Sequence, residues 1–375
     1  MQYLVVFTAF LLFLGSPIHA QKLKELYPNG NVKLKGQLKD SLPVGKWTYF
    51  HENGEVKEIA QFKRGKKSGK WSLYYSDGQL EEEGFYELGR KTGKWIGYYQ
   101  NGTQGYEGSF KDGLQEGEWI YYYSSGQIDR QGSFVKGQQE GIWTYYYPNG
   151  REKQKGNWED GKMDGFWLSY YQNGNKKEGG SIVQNKKEGK WAFYHLNGLL
   201  ASNGFFKNDK EVGPWEYYYA SGELKEEGSW ENGKAMGEWK YYFRSGQIWK
   251  VGNWEDNLQQ GTWRYYYENG QLNKEGEWHN NHTVGEWSYY HENGQLKEKG
   301  PFSDDGLRHG KWYRYQPNGT LISVGEWYNN IQHGKWEYYH GNGNLQRRGQ
   351  WYNGEAVGEW ESFDENGKSF GKITY

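Results

Sequence analysis

Cysteine is absent from this chain. That excludes disulfides, thiolate metal sites, cysteine nucleophiles and a lipidated N-terminal cysteine. Aliphatic residues are scarce as well. Hydrophobic residues make up 35% of the 375 positions, against about 45–50% in ordinary globular chains, too little for several conventional cores. A surplus of one charge is also missing, with 46 basic residues against 47 acidic ones and no long run of like sign. The sequence therefore carries neither a nucleic-acid footprint nor a basic membrane patch. No window shows a 3.6-residue apolar period, and glycine recurs too often for helices.

Catalytic constellations are lacking too. Four of the 9 histidines, His51, His195, His291 and His340, fall at one repeated position among the aromatics. His309 and His333 occupy another, and His279 and His282 have no carboxylate cluster at ligand spacing. Acidic residues are scattered, so no paired-carboxylate site stands out, and no Ser-His-Asp set or nucleophile elbow is present. The expectation is a chain that is not an enzyme and takes no metal or cofactor.

What the chain does have is aromatic residues, 19% of the total, and 56 glycines. Both are organised by a repeat. The tryptophan of a Gly-x-Trp triplet falls at Trp47, Trp71, Trp95, Trp119, Trp143, Trp167, Trp191, Trp215, Trp239, Trp263, Trp287, Trp312, Trp336 and Trp360, each step 24 residues except one of 25. An aromatic run follows each tryptophan and is closed by Asn-Gly, Asp-Gly or Ser-Gly, such as Asn53-Gly54 or Ser125-Gly126. Such pairs tolerate the positive φ of hairpin turns. The run before the pair and the alternating run after it, such as Gln127 to Phe134, favour strand. A second, looser turn, such as Lys136 to Glu140, joins one hairpin to the next. The predicted fold is all-β: an elongated antiparallel β-meander of 14 tandem 24-residue β-hairpin repeats over residues 21–375.

Alternate strand residues share a face. Counting from each tryptophan, position plus two varies (Leu73, Gly97, Ser169, Arg314), whereas plus three is always Tyr or Phe. Strand glycines such as Gly108, Gly132 and Gly228 would let a neighbouring ring lie flat over bare backbone. Repeat-to-repeat packing is therefore the first role expected of Trp119, Trp143, Trp167, Trp215, Trp239, Trp263 and Trp287, with the plus-three ring stacking likewise on the other face. The sharper alternative makes Tyr122, Tyr146, Tyr170, Tyr218, Tyr242, Tyr266 and Tyr290 an exposed row that stacks on a glycan or a protein partner.

The N-terminus is a different material. Tyr3 to Leu14 is an apolar run of signal-peptide length, too short for a comfortable membrane span, and Gly15 and Pro17 break it. Residues 1–20 are expected to be a signal peptide cut between Ala20 and Gln21, placing the mature chain in the periplasm, on the cell surface or outside. No other segment can cross a bilayer as a helix.

The motif Gly-x-Trp-x-x-Gly-x-x-x-Gly-x-Trp followed by Tyr-Tyr and a turn glycine, carried for example by Gly228, Trp230, Gly233, Gly237, Trp239, Tyr241, Tyr242 and Gly246, resembles the MORN repeat. It is most similar to the bacterial variant of the YwqK-type antitoxin-component repeat family. The ordinary unit has glycine where Trp239 stands and an aromatic where Glu226 stands, departures that favour the variant. The resemblance implies a hairpin array and a scaffold for an unidentified protein partner. A second resemblance, to choline- and glucan-binding repeats, implies aromatic pockets for a cell-envelope glycan. Those repeats run near 20 residues and lack the Gly233-to-Gly237 spacer, so the 24-residue period favours the first.

Overall fold

The structure, a computed structural model, describes residues 20–375, so the leader Met1 to His19 lies outside the described residues. Ala20 is irregular and the first strand begins at Gln21. Among the described residues there are thirty strands and no helix. The described residues fall into two compact units, divided between Gly165 and Phe166. In each unit consecutive strands pair antiparallel, from Gln21–Leu26 with Val32–Lys39 in the first to Glu355–Phe363 with Ser369–Thr374 in the second.

One repeat explains both units. A nine-residue strand carries the tryptophan, such as Leu114–Tyr122, and an eight-residue strand carries the bare glycine, such as Ile128–Val135. Trp119 stands directly opposite Gly132. Its ring leans back over the previous repeat, where a β-carbon on Gly108 would lie 2.1 Å from Trp119 Cδ2. The indole N–H then donates to the Ser109 carbonyl at 3.1 Å. Glycine is thus demanded by the ring of the next repeat. Ala60 is the exception that shows the cost: Trp71 turns its N–H to Glu58 instead, at 2.6 Å.

The turns differ from the sequence expectation. The turn after the aromatic run is a three-residue loop. His51 N–H donates to Glu55 O at 2.8 Å and Gly54 N–H to His51 O at 3.0 Å, and Gly54 takes φ +94°. Asn53 does not adopt positive φ. Its Oδ1 accepts the Glu55 N–H at 3.0 Å, while its Nδ2 donates to Ser76 O of the next repeat at 2.7 Å. The link expected to be looser is the tight two-residue turn. Lys136 and Gly137 have φ of 50° and 80°, and Val135 pairs with Gln138, the geometry of a type I′ hairpin. Asn280-Asn281 and Asp160-Gly161 repeat it with other residues.

The 25-residue step is absorbed at Ser303–Leu307. Ser303 N–H donates to Leu307 O and Gly306 N–H to Ser303 O, the three-residue pattern in place of the two-residue one. Pairing is reduced there to Glu298 with Arg314, Lys299 with Tyr313 and an isolated bridge between Phe302 and Arg308. The tryptophan stack nevertheless reaches Trp312.

Candidate functional site

The two faces of the repeat use their aromatics differently. All fourteen repeat tryptophans are buried, none more than 6% exposed. Where the plus-two residue is aromatic they stack with it, since alternation places it on their own face. In the second unit eleven rings run without a break: Trp191, Phe193, Trp215, Tyr217, Trp239, Tyr241, Trp263, Tyr265, Trp287, Tyr289 and Trp312, with neighbouring centroids 5.7–6.4 Å apart. The aromatic two residues after each strand glycine closes the stack edge-on, as Trp230 does against Trp239 at 5.5 Å and 86°. Offset and edge-to-face contacts of this kind each add about 0.5–1.5 kcal/mol beyond area burial.

Cations cap this face. Lys250 Nζ lies 4.1 Å from the centre of the Tyr241 ring and Arg347 Cζ 4.3 Å from that of Tyr338. Burial lowers the Lys250 pKa and pushes the Tyr241 hydroxyl up to about 12. The rings here are spent on one another and on their own cations.

The plus-three tyrosines point to the opposite face, where each is half-buried. Five of the candidate row sit across from an aliphatic residue, Tyr122 from Ile128, Tyr218 from Leu224, Tyr242 from Ile248, Tyr266 from Leu272 and Tyr290 from Leu296, whereas Tyr146 faces Glu152. Several hydroxyls are fixed by carboxylates. Tyr122 donates to Glu107 at 3.1 Å, Tyr242 to Glu227 at 2.6 Å, Tyr290 to Glu275 at 3.3 Å and Tyr218 to Glu216 at 2.8 Å. Tyr146 accepts instead from Gln131 Nε2 at 3.0 Å, and Tyr170 ends the strand Lys162–Tyr170. Burial first, and the hydrogen bond to Glu227 second, raise the Tyr242 pKa. The ring-on-ring ladder expected at plus three forms at plus two. What stands at plus three is a row of half-buried tyrosines, most of them across from an aliphatic residue and several with anchored hydroxyls.

A third position missed by the sequence reading as a device is plus four. Its tyrosine reaches over the edge of the repeat: Tyr219 O–H donates to the Tyr242 carbonyl of the next repeat at 2.8 Å, and Tyr75 to Tyr98 O at 2.8 Å. His51, His195 and His340 make the same bond through Nε2, 2.9–3.0 Å from Tyr74 O, Tyr218 O and Phe363 O. A carbonyl only accepts, so Nε2 must carry the proton in each. These histidines are latches. Among the described residues no group of three or more His, Asp or Glu could hold a metal ion, and no helix is long and apolar enough to cross a membrane.

A family profile described as MORN repeat variant matches eleven segments: residues 43–64, 67–88, 115–136, 139–160, 211–232, 237–256, 259–280, 283–304, 308–328, 332–351 and 356–375. These cover well over half of the sequence. The chain belongs to the MORN repeat variant family. The repeats of Trp95, Trp167 and Trp191 fall outside the matched segments, yet have the same strands. A search of curated proteins finds no match. Among solved structures the chain aligns with "Crystal Structure of TcdB2-TccC3-Cdc42" at 11% identity and TM-score 0.17, covering 96% of this chain and 22% of that one. "Crystal Structure of TcdB2-TccC3-TEV" gives 12% identity, TM-score 0.17, and 96% and 23% coverage. The chain thus spans less than a quarter of the length of these solved chains, and likeness at such TM-scores carries no argument.

Proposed function

We propose that the chain is an exported, non-catalytic scaffold that binds a protein partner through its plus-three tyrosine face. The observation that carries this is the division of labour between faces. The tryptophan face packs its rings on one another, while the other face holds half-exposed tyrosines, several of whose hydroxyls are fixed by glutamates. Tyrosine held rigid among mixed charges offers contact area at low entropic cost, which is the make-up of protein interfaces. The neighbouring row alternates in sign and polarity, running Glu227, Lys240, Val251, Arg264, Glu275 across successive strands. Export is proposed from the apolar leader before Gln21.

The test is a pull-down from envelope proteins with the wild-type chain and with Tyr218, Tyr242 and Tyr266 all changed to Ala. Loss of a specific partner at unchanged circular dichroism supports the reading. An identical partner set from both chains would overturn it, and retention on polysaccharide columns alone would transfer the face to glycan. N-terminal sequencing of the envelope-localised product should begin at Gln21.

A further inference from the structure

In the first unit Gly97 stands where a plus-two ring would be, and Gly105 lies close to it on the paired strand. Tyr106 covers Gly97 and stacks on Trp119. Beside it is a cleft of about 450 Å³, bordered by both glycines and lined by Tyr75, Tyr99, Tyr106, Tyr121, Glu81 and Glu82. That volume falls within the range of small-ligand sites, about 300–1,000 Å³. Tyr99 is 38% exposed, and Tyr75 and Tyr106 are half-buried. Their hydroxyls are already engaged. Tyr75 and Tyr99 donate to the Tyr98 and Tyr122 carbonyls at 2.8 and 2.6 Å, Tyr106 donates to Glu82, and Tyr121 accepts from Gln115 Nε2 at 3.0 Å. What the cleft offers is ring surface and carboxylate.

Its charges are unequal. Glu82 is taken by Lys91 at 2.8 Å and by Tyr106. Glu81 is half-buried and has no hydrogen bond or ion pair among the described residues. The nearby cations are committed: Lys91 lies over Trp95 and Phe110, and Arg130 lies over Tyr121, held by Asp129 at 2.9 Å. Among the described residues no lysine or arginine lies over Tyr75, Tyr99 or Tyr106. The array itself shows what is missing. Two repeats on, Lys153 stands at the position of Gly105 and sets its Nζ 5.9 Å from the centre of the Tyr147 ring, the counterpart of Tyr99. At Gly105 that cation is gone.

We infer that this cleft binds an organic ammonium group, its carbon substituents against the tyrosine rings and its charge facing Glu81. Ring faces attract a cation through their quadrupole, most strongly where water is partly excluded, and a neighbouring carboxylate adds its own attraction. A quaternary ammonium and a primary alkylammonium share this chemistry. Gly97 and Tyr106 belong to the tryptophan side of the sheet, so the site is separate from the plus-three face.

The experiment titrates the full mature chain with tetramethylammonium, n-butylammonium and the neutral neopentyl alcohol at constant ionic strength, reading calorimetry and aromatic fluorescence. At least one ammonium should bind saturably, and the alcohol should bind about tenfold more weakly or worse. Glu81→Gln should weaken ammonium binding by about tenfold, the worth of one carboxylate–cation attraction near a protein surface. Gly105→Lys restores the cation that Lys153 supplies. Gly105 has an ordinary φ, and a β-carbon there would meet nothing closer than 3.4 Å. This variant should therefore melt as wild type does while losing the site. Saturation by tetramethylammonium alone would assign a methylated headgroup, and by butylammonium alone a lysine-like amine. No saturation by either ammonium, alcohol binding as tight as theirs, or unchanged affinity in either variant would overturn the inference.

Discussion

The two faces of a single repeat, built from neighbouring residues of one strand, do opposite things with the same side chain. Tyr241 is clamped between Trp239 and Trp263, with centroids 6.2 Å from each, and a lysine sits on its ring. Tyr242, one residue on, faces away, pairs with Ile248 and gives its hydroxyl to Glu227. Chemical identity therefore does not decide the role of a tyrosine here. Strand parity does, because only one parity meets the leaning tryptophan. A single-layer repeat can make its core from one face and leave the other for recognition.

Alkali should strike both faces at once and have the largest effect. Tyr217, Tyr241, Tyr265 and Tyr289 on one side, and Tyr218, Tyr242 and Tyr290 on the other, have pKa values raised chiefly by burial. A folded value above the unfolded one near 10 means the contribution is fully present below pH 10. It is lost as pH rises through the folded values, about 12 for Tyr241 and Tyr339. Melting temperature should therefore hold up to pH 10 and fall steeply toward pH 12, with phenolate absorbance appearing together with unfolding.

Trp239→Ala comes next. It removes a ring shared by two repeats and should cost about 3–5 kcal/mol in chemical denaturation. Gly228→Ala tests the same packing from below, since its β-carbon would lie 2.1 Å from Trp239 Cδ2. Overpacking of this kind costs about 1–3 kcal/mol, and Ala60 beneath Trp71 shows the ring can shift to accept it. Tyr219→Phe removes only the latch to Tyr242 O and should cost about 1 kcal/mol. Phe243 already stands at a latch position without a hydroxyl, so the array tolerates one such loss.

Much of this was legible in the sequence. The recurrence of Gly-x-Trp gave the repeat length, and an aromatic two residues past a strand glycine marked the face on which a ring lies over bare backbone. The choice between Tyr241 and Tyr242 was not legible from constancy, because plus two varies among repeats while plus three does not. Plus three stays aromatic whether an aliphatic residue, as at Tyr242, or a polar one, as at Tyr146 and Tyr98, faces it across the strand pair, so its constancy does not mark a ring stack. The turns were exchanged for a comparable reason. Asn53-Gly54 has the composition of a type I′ turn, but its asparagine serves as a hydrogen-bonding bracket to the next repeat. The true type I′ site accepts Leu88-Gly89 and Arg64-Gly65 as readily as Asn232-Gly233. How a repeat without a plus-two ring closes its stack also needed the cross-strand register. In the first unit, the gap at Gly97 is filled by Tyr106, whose ring lies over that glycine and stacks on Trp119 at 5.7 Å.

The division between the faces is tested most directly by changing Tyr241 and Tyr242 to Ala separately, measuring melting temperature and retention of the envelope partner on each purified chain. Tyr241→Ala should melt several degrees lower, with retention proportional to the fraction folded. Tyr242→Ala should melt close to wild type and lose the partner. If Tyr242→Ala instead melts as low as Tyr241→Ala and its retention merely follows the folded fraction, both faces are core and the account is wrong.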